Sequence, residues 1–245
     1  MSLHISISAE PIFNLGKFEF TNSMLVSALV TVFLSTIAYK FSKTFKNKHQ
    51  SNLNIFIQTI LESFYEFVQT IAPHHAGKFF PLIASIFLFV MFGSWAGLLP
   101  GFETIGLTRI INGHETYVPL FRGATADLNI TLGLAIFAVA SVQFYGYKML
   151  GMKYFKKFFN FTNPINLFVG FLELISEFAK IMSFSFRLFG NIFAGEVLLA
   201  VIAFLVPIFA SLPFIGLELF VGFIQALVFA TLTLVFTNIA VSEHH

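Results

Sequence analysis

The stretch from Pro164 to Val206 constrains this chain more than any other. It is an apolar run with no proline before Pro207. Asn163 supplies a capping amide and Pro164 the first helical position, so a helix is expected to begin there. A continuous helix of that length is roughly 65 Å long at about 1.5 Å per residue, about twice the ~30 Å hydrocarbon core of a bilayer. It cannot stand upright in a membrane. It must tilt strongly, lie nearly in the membrane plane, or break near a glycine such as Gly190 or Gly195. Within the run stands Arg187. An arginine cannot shed its charge, and holding it mid-membrane costs at least ~2.5–3.5 kcal/mol. Snorkelling or a structural acid would be the bland explanation, but apolar residues continue well beyond Arg187 on both sides, so something nearby needs a permanent cation.

Only 11% of the residues are charged and 57% are hydrophobic, too few charges to solvate a globule of this size, so a membrane protein is expected. No basic run interleaves with stacking aromatics, which argues against nucleic acid. There is no cysteine, hence no disulfide framework or thiol nucleophile. No G-x-x-x-x-G-K-[ST] phosphate loop occurs, so the chain is not expected to carry a catalytic site for ATP chemistry of its own. Residues 1–21 contain Glu10, Pro11, Asn14 and Glu19 and do not read as a signal peptide.

The rest of the chain sorts into one membrane domain, 1–245, with an external segment at 1–21 and a first crossing at 22–43. Lys40, Lys43, Lys46 and Lys48 end that crossing, and Lys148, Lys153, Lys156 and Lys157 end a later one. By the positive-inside rule both clusters are cytoplasmic and the amino terminus is outside. Residues 51–72 place Leu53, Phe56, Ile57, Ile60, Phe64, Phe67, Val68 and Ile71 on one helical face, with Asn54, Glu62, Glu66 and Gln69 opposite. That pattern is an amphipathic helix at the inner interface, or one packed on partner helices. His74 and His75 follow without an acid to complete a metal set, so no metal or other cofactor is expected. A crossing at 78–99 has Trp95 near its outer end, where aromatic rings favour the headgroup zone. An external loop at 100–126 and a crossing at 127–150 come next, and the long hairpin 163–206 and 213–241 closes the chain. The expected fold class is therefore all-α: about three upright transmembrane helices, one interfacial helix and a strongly tilted or horizontal two-helix hairpin.

Register along the hairpin is informative. Folding at about residue 207 brings Arg187 level with Gln225 and Glu196 level with Glu218. Arg187 and Glu196 point to opposite faces of their helix, whereas Arg187 shares a face with Ser183 and Asn191. Glu218 and Gln225 share a face of the last helix. One environment holds a fixed cation with amides, the other two carboxyl groups able to share a proton. Nearer the cytoplasmic end, Glu173, Glu177 and Lys180 are spaced for a local salt bridge or for lining an aqueous path.

At these residues the chain resembles a known family. Arg187-Leu-Phe-Gly-Asn-Ile-Phe-Ala-Gly-Glu196 is similar to the signature of subunit a of the F-type ATP synthase, and the likeness extends to Thr125-Ala-Asp127-Leu-Asn129, Glu218 and Gln225. The resemblance covers the chain from about residue 20. It implies a stator subunit beside a ring of c subunits, with peripheral-stalk b subunits as further partners in the whole ATP synthase. Arg187 would then be the essential charge facing the ring, supported by Gln225 and Asn191. Asp127, Asn129, Glu196 and Glu218 would line an outer proton half-channel, and Glu173, Glu177 and Ser183 an inner one. Both Glu196 and Glu218 are glutamate where relatives often have a histidine at one of the two, which leaves open which one relays. Sodium in place of protons is not excluded. The implied setting is a bacterial plasma (inner) membrane, or alternatively a mitochondrial inner membrane. A secondary ion transporter or channel subunit is the competing reading, but it would ordinarily show inverted repeats or paired broken helices, and none is evident.

Overall fold

The computed structural model describes residues 11–15, 18–45, 52–99, 105–111, 114–158, 163–206 and 211–242. Lys46, Lys48, Pro100-Gly101, the turn at Pro207 and residues 1–10 lie outside them. Among the described residues, six long helices carry the fold: α1 Asn22–Phe45, α2 Asn52–Ile71, α3 Ala76–Gly97, α4 Leu128–Leu150, α5 Pro164–Leu205 and α6 Ser211–Val241. All but α2 are long and apolar enough to cross a membrane. Large apolar side chains stand exposed along them, such as Phe178 and Phe204 on α5 and Phe220 on α6. Apolar surface on that scale needs lipid or protein against it. The chain is an all-α integral membrane protein.

Local chemistry explains the helix ends. Thr21 Oγ1 accepts the Met24 N–H at 3.4 Å, capping α1. Asp127 caps α4 through Oδ1, which accepts the Asn129 N–H at 3.0 Å. Gly151, at φ +60°, ends α4 in the left-handed conformation that glycine reaches without a Cβ penalty. A 3-10 turn, Gly151–Lys157, then folds back on the helix. Tyr154 lies against Gly146, where any Cβ would run into its ring. Helix α5 continues through Gly190 and Gly195 for 42 residues, so the alternative of a break at either glycine is overturned.

Two antiparallel hairpins interrupt the helical pattern where plain loops were expected. Strands β1 (Pro11–Leu15) and β2 (Phe18–Thr21) pair before α1, and β3 (Gly106–Ile111) pairs with β4 (His114–Pro119) after α3. The sequence does mark the second: Asn112-Gly113, a strong hairpin signal, separates two stretches rich in β-branched residues.

The described residues group into two compact units. The first draws on Met1–Gln50, Phe87–Thr131 and Arg187–Leu227, the second on Ser51–Ile86, Leu132–Phe186 and Val228–His245. In the first, Val26, Val30 and Ala124 form a buried cluster with Phe89, Phe92 and Phe121 packed on it. Asn22 Nδ2 donates to the Pro119 carbonyl at 3.2 Å, tying the start of α1 to the end of β4. In the second, Val142, Tyr154 and Ala240 are buried beneath Leu150, Phe158 and Phe236. Asn238 Nδ2 donates to the Ile71 carbonyl at 3.1 Å, joining α6 to the end of α2. Within each unit α5 and α6 run antiparallel. Gly195 meets Glu218 and Asn191 meets Gln225 in the first. Phe184 makes tilted ring contacts with Phe229 and Phe236 in the second, with centroids at 4.9 and 5.9 Å.

Candidate functional site

The first unit gathers most of the charged and amide groups singled out in the sequence. Glu218, on α6, is 5% exposed and packs directly on Gly195 of α5. A Cβ added at Gly195 would clash with the Glu218 carboxyl group. Beside it is a small cavity lined by Ser94, Gly97, Leu98, Ile192, Glu196 and Glu218, with space on the order of a single water. The two glutamates therefore share one pocket, walled by α3, α5 and α6.

Glu196 also meets a residue from the stretch expected to be an external loop, 100–126. Arg122 Nε lies 3.6 Å from Glu196 Oε2, and the two side chains are 10% and 18% exposed. The segment carrying Arg122 is fixed at several points. Ala124, Thr125 and Ala126 form a fully buried 3-10 turn. Thr125 Oγ1 and Ser94 Oγ are 3.0 Å apart, and Ser94 Oγ also donates to the Val90 carbonyl at 2.8 Å. Gly97 is required by the same contact: a Cβ there would come within 2.9 Å of the Gly123 backbone. A signal for Arg122 exists in its position five residues before Asp127, but only the folded chain shows what it meets.

Asp127 is buried at 2% exposure; one oxygen caps α4 and Oδ2 has no hydrogen-bond partner among the described residues. Asn129 contributes its backbone N–H to that cap, while its side chain is exposed. Neither borders the cavity that Glu196 and Glu218 share. Trp95 Nε1 donates to the Leu219 carbonyl at 2.9 Å, so the indole N–H is engaged by α6.

Arg187 stands on a different face of α5. It is exposed, as are Gly190, Asn191 and Ala194 along the same stripe, while Leu188 and Ile192 turn inward. Phe186 beside it is 52% exposed. One turn on, Asn191 Nδ2 donates to Gln225 Oε1 at 2.9 Å. Gln225 is 5% exposed, and its Nε2 has no acceptor among the described residues. The structure thus brings Asn191 and Gln225 together next to Arg187.

The second unit holds the other group of acids. Glu177 Oε1 accepts from Lys180 Nζ at 2.8 Å, and the same ammonium lies 4.6 Å from the centroid of the Phe236 ring. Tyr154 Oη donates to Gln143 Oε1 at 2.6 Å. Glu173 and Glu177 are near enough to Tyr154 to act on it electrostatically. Ser183 is exposed on α5.

A bundle of apolar helices that buries acids and amides against one another, and exposes an arginine on an apolar face, belongs to the polytopic membrane proteins rather than to anchors or globules. More specifically, the family model described as ATP synthase A chain matches residues 22–238. The chain belongs to that family. It is an integral membrane, proton-translocating component of the Fo sector of the F-type ATP synthase.

Proposed function

We propose that this subunit is the stator against which a ring of c subunits turns, and that Arg187 is the fixed charge facing the ring. The observation that carries the reading is the exposed stripe of α5, where Arg187 stands among Phe186, Gly190, Asn191 and Ala194. Small residues there let another helix approach the backbone closely. A permanent cation on such a face attracts the carboxylate of each passing ring subunit and makes it release its proton. Asn191 and Gln225 orient the arginine. Protons enter through an outer half-channel bordered by Asp127, Asn129, Glu196 and Glu218, and leave through an inner one bordered by Glu173, Glu177 and Ser183. The arginine repels a proton that would pass directly between them, which ties passage to rotation. Peripheral-stalk b subunits complete the stator, and the setting is a bacterial plasma membrane, with the mitochondrial inner membrane as the other candidate.

Arg187→Ala tests this in membranes that carry the whole synthase. ATP synthesis and ATP-driven proton pumping are both expected to be lost while the c-ring still co-purifies. Normal coupled turnover would refute the role given to the arginine.

A further inference from the structure

Glu196 and Glu218 border one cavity in unlike surroundings. Glu196 Oε2 faces Arg122 at 3.6 Å with both side chains largely buried. A guanidinium is always charged, and at such burial its carboxylate partner stays ionised, because neutralising either partner strands the other. Oε1 of Glu196 faces backbone cleared by two glycines: a Cβ on Gly123 would lie 3.2 Å from it and one on Gly97 3.7 Å. Glu218 is different. It is 5% exposed and lies in the space left by Gly195, and among the described residues it makes no ion pair. Of the elements around the cavity, α3 brings Ser94, Gly97 and Leu98, none of them charged. Among the described residues, the charged group that borders the same cavity as Glu218 is Glu196, which in turn faces Arg122, while Asp127 is held in the α4 cap.

We infer that Arg122 is a positioning residue that holds Glu196 as a permanent carboxylate, so that Glu218 alone takes up and releases the proton in this pocket. The inference rests on the outer-pathway reading proposed above. The Glu218 carboxylate accepts a proton from water in the cavity, becomes the carboxylic acid, and returns to carboxylate when it passes that proton on. Glu196, paired throughout with Arg122, takes no part in the exchange, and the pair adds no net charge beside Glu218. Either partner alone spoils this. Without Arg122, Glu196 competes for the proton; without Glu196, an unpaired cation beside Glu218 repels it.

The test measures ATP-driven proton pumping and ATP synthesis in membranes bearing the intact synthase, with co-purification of the complex confirming assembly. Arg122→Gln and Glu196→Gln are each expected to lower both rates by about tenfold or more, since each removes the opposite charge that a largely buried group faces. The double variant Arg122→Gln/Glu196→Gln, with no stranded charge, is expected to recover most of that loss. Arg122→Lys, which keeps the cation, is expected to retain the turnover that Arg122→Gln loses. If the double variant stays as impaired as Glu196→Gln alone, Glu196 itself carries the proton and the inference is overturned. Equal loss in Arg122→Lys and Arg122→Gln overturns it too. Should Arg122→Gln fail to assemble, the exchange Arg122→Glu/Glu196→Arg keeps the pair, and its turnover must exceed that of Glu196→Gln. Undiminished pumping by Glu218→Gln in an assembled complex would instead refute the outer-pathway reading itself.

Discussion

Replacing Gly195 with alanine puts a methyl group where the Glu218 carboxyl group now lies. The overlap is not with the flexible tip of an exposed side chain, because Glu218 is buried against α5 and the cavity beside it has space on the order of a single water. To clear a Cβ the carboxyl group must move by about 1 Å or more. Overpacking of that kind costs about 1–3 kcal/mol when the surroundings must give. A displacement of ~1 Å at a reacting group lowers the rate by about 10²-fold. Glycine-to-alanine changes in a helix interior otherwise stabilise by roughly 0.5–1 kcal/mol. Gly133 on α4 is the control, since a Cβ there meets nothing within 4 Å. The expected outcome is that Gly195→Ala lowers ATP-driven proton pumping by one to two orders of magnitude, on the same scale, in a complex that still assembles. Gly133→Ala should pump normally. Shortening the acid, as in Gly195→Ala/Glu218→Asp, should return part of the loss by making room. The reasoning fails if Gly195→Ala pumps like Gly133→Ala, for then the Glu218 position is not what the pathway needs.

Asp127 joins two roles that substitutions can separate. Asp127→Ala removes the α4 cap and should destabilise the detergent-solubilised protein by about 0.5–2 kcal/mol in thermal unfolding, whereas Asp127→Asn keeps the capping oxygen and should melt near the parent. Proton pumping lost in Asp127→Asn at unchanged melting temperature would then assign the charge a part in conduction; unchanged pumping would leave the residue as a cap. In the second unit, the Glu177–Lys180 pair is about as buried as Arg122–Glu196, so Glu177→Gln or Lys180→Met alone, which removes one charge and leaves the other, should destabilise the detergent-solubilised protein more than the double variant does. A double variant no more stable than either single one would refute that reasoning.

The fold class was legible because each apolar run is long enough to be read by length alone. Helix α5 is the clearest case: the chemistry that forbids it to stand upright is written in the distance from Pro164 to Pro207. Whether it bends at Gly190 or Gly195 was not legible, since a glycine in a helix permits a kink without demanding one. The hairpin β3–β4 was not foreseen, although Asn112-Gly113 marks a turn between two stretches rich in β-branched residues. Register along α5 and α6 was readable to about one turn. Counting from Pro207 set Arg187 level with Gln225, and the structure gives Gln225 to Asn191, four residues further along. Relative azimuth was readable, since about 100° per residue sets Arg187 and Glu196 on opposite faces. What each face meets was not: that Glu196 lies against Arg122 depends on how the segment before α4 folds.

The glycines of the pocket have a common cause. Gly97, Gly123 and Gly195 each stand where a Cβ would press on a carboxylate oxygen or on the backbone that supports one. A protein in water can accommodate two acids by letting solvent in, but a chain packed in lipid must find the volume inside its own helices. Removing a Cβ is the least disruptive way to do so, since it leaves the helical hydrogen bonds intact at about 0.5–1 kcal/mol per glycine. The space so made is small, so the acid packed against a bare helix backbone has room for about one water within hydrogen-bond reach.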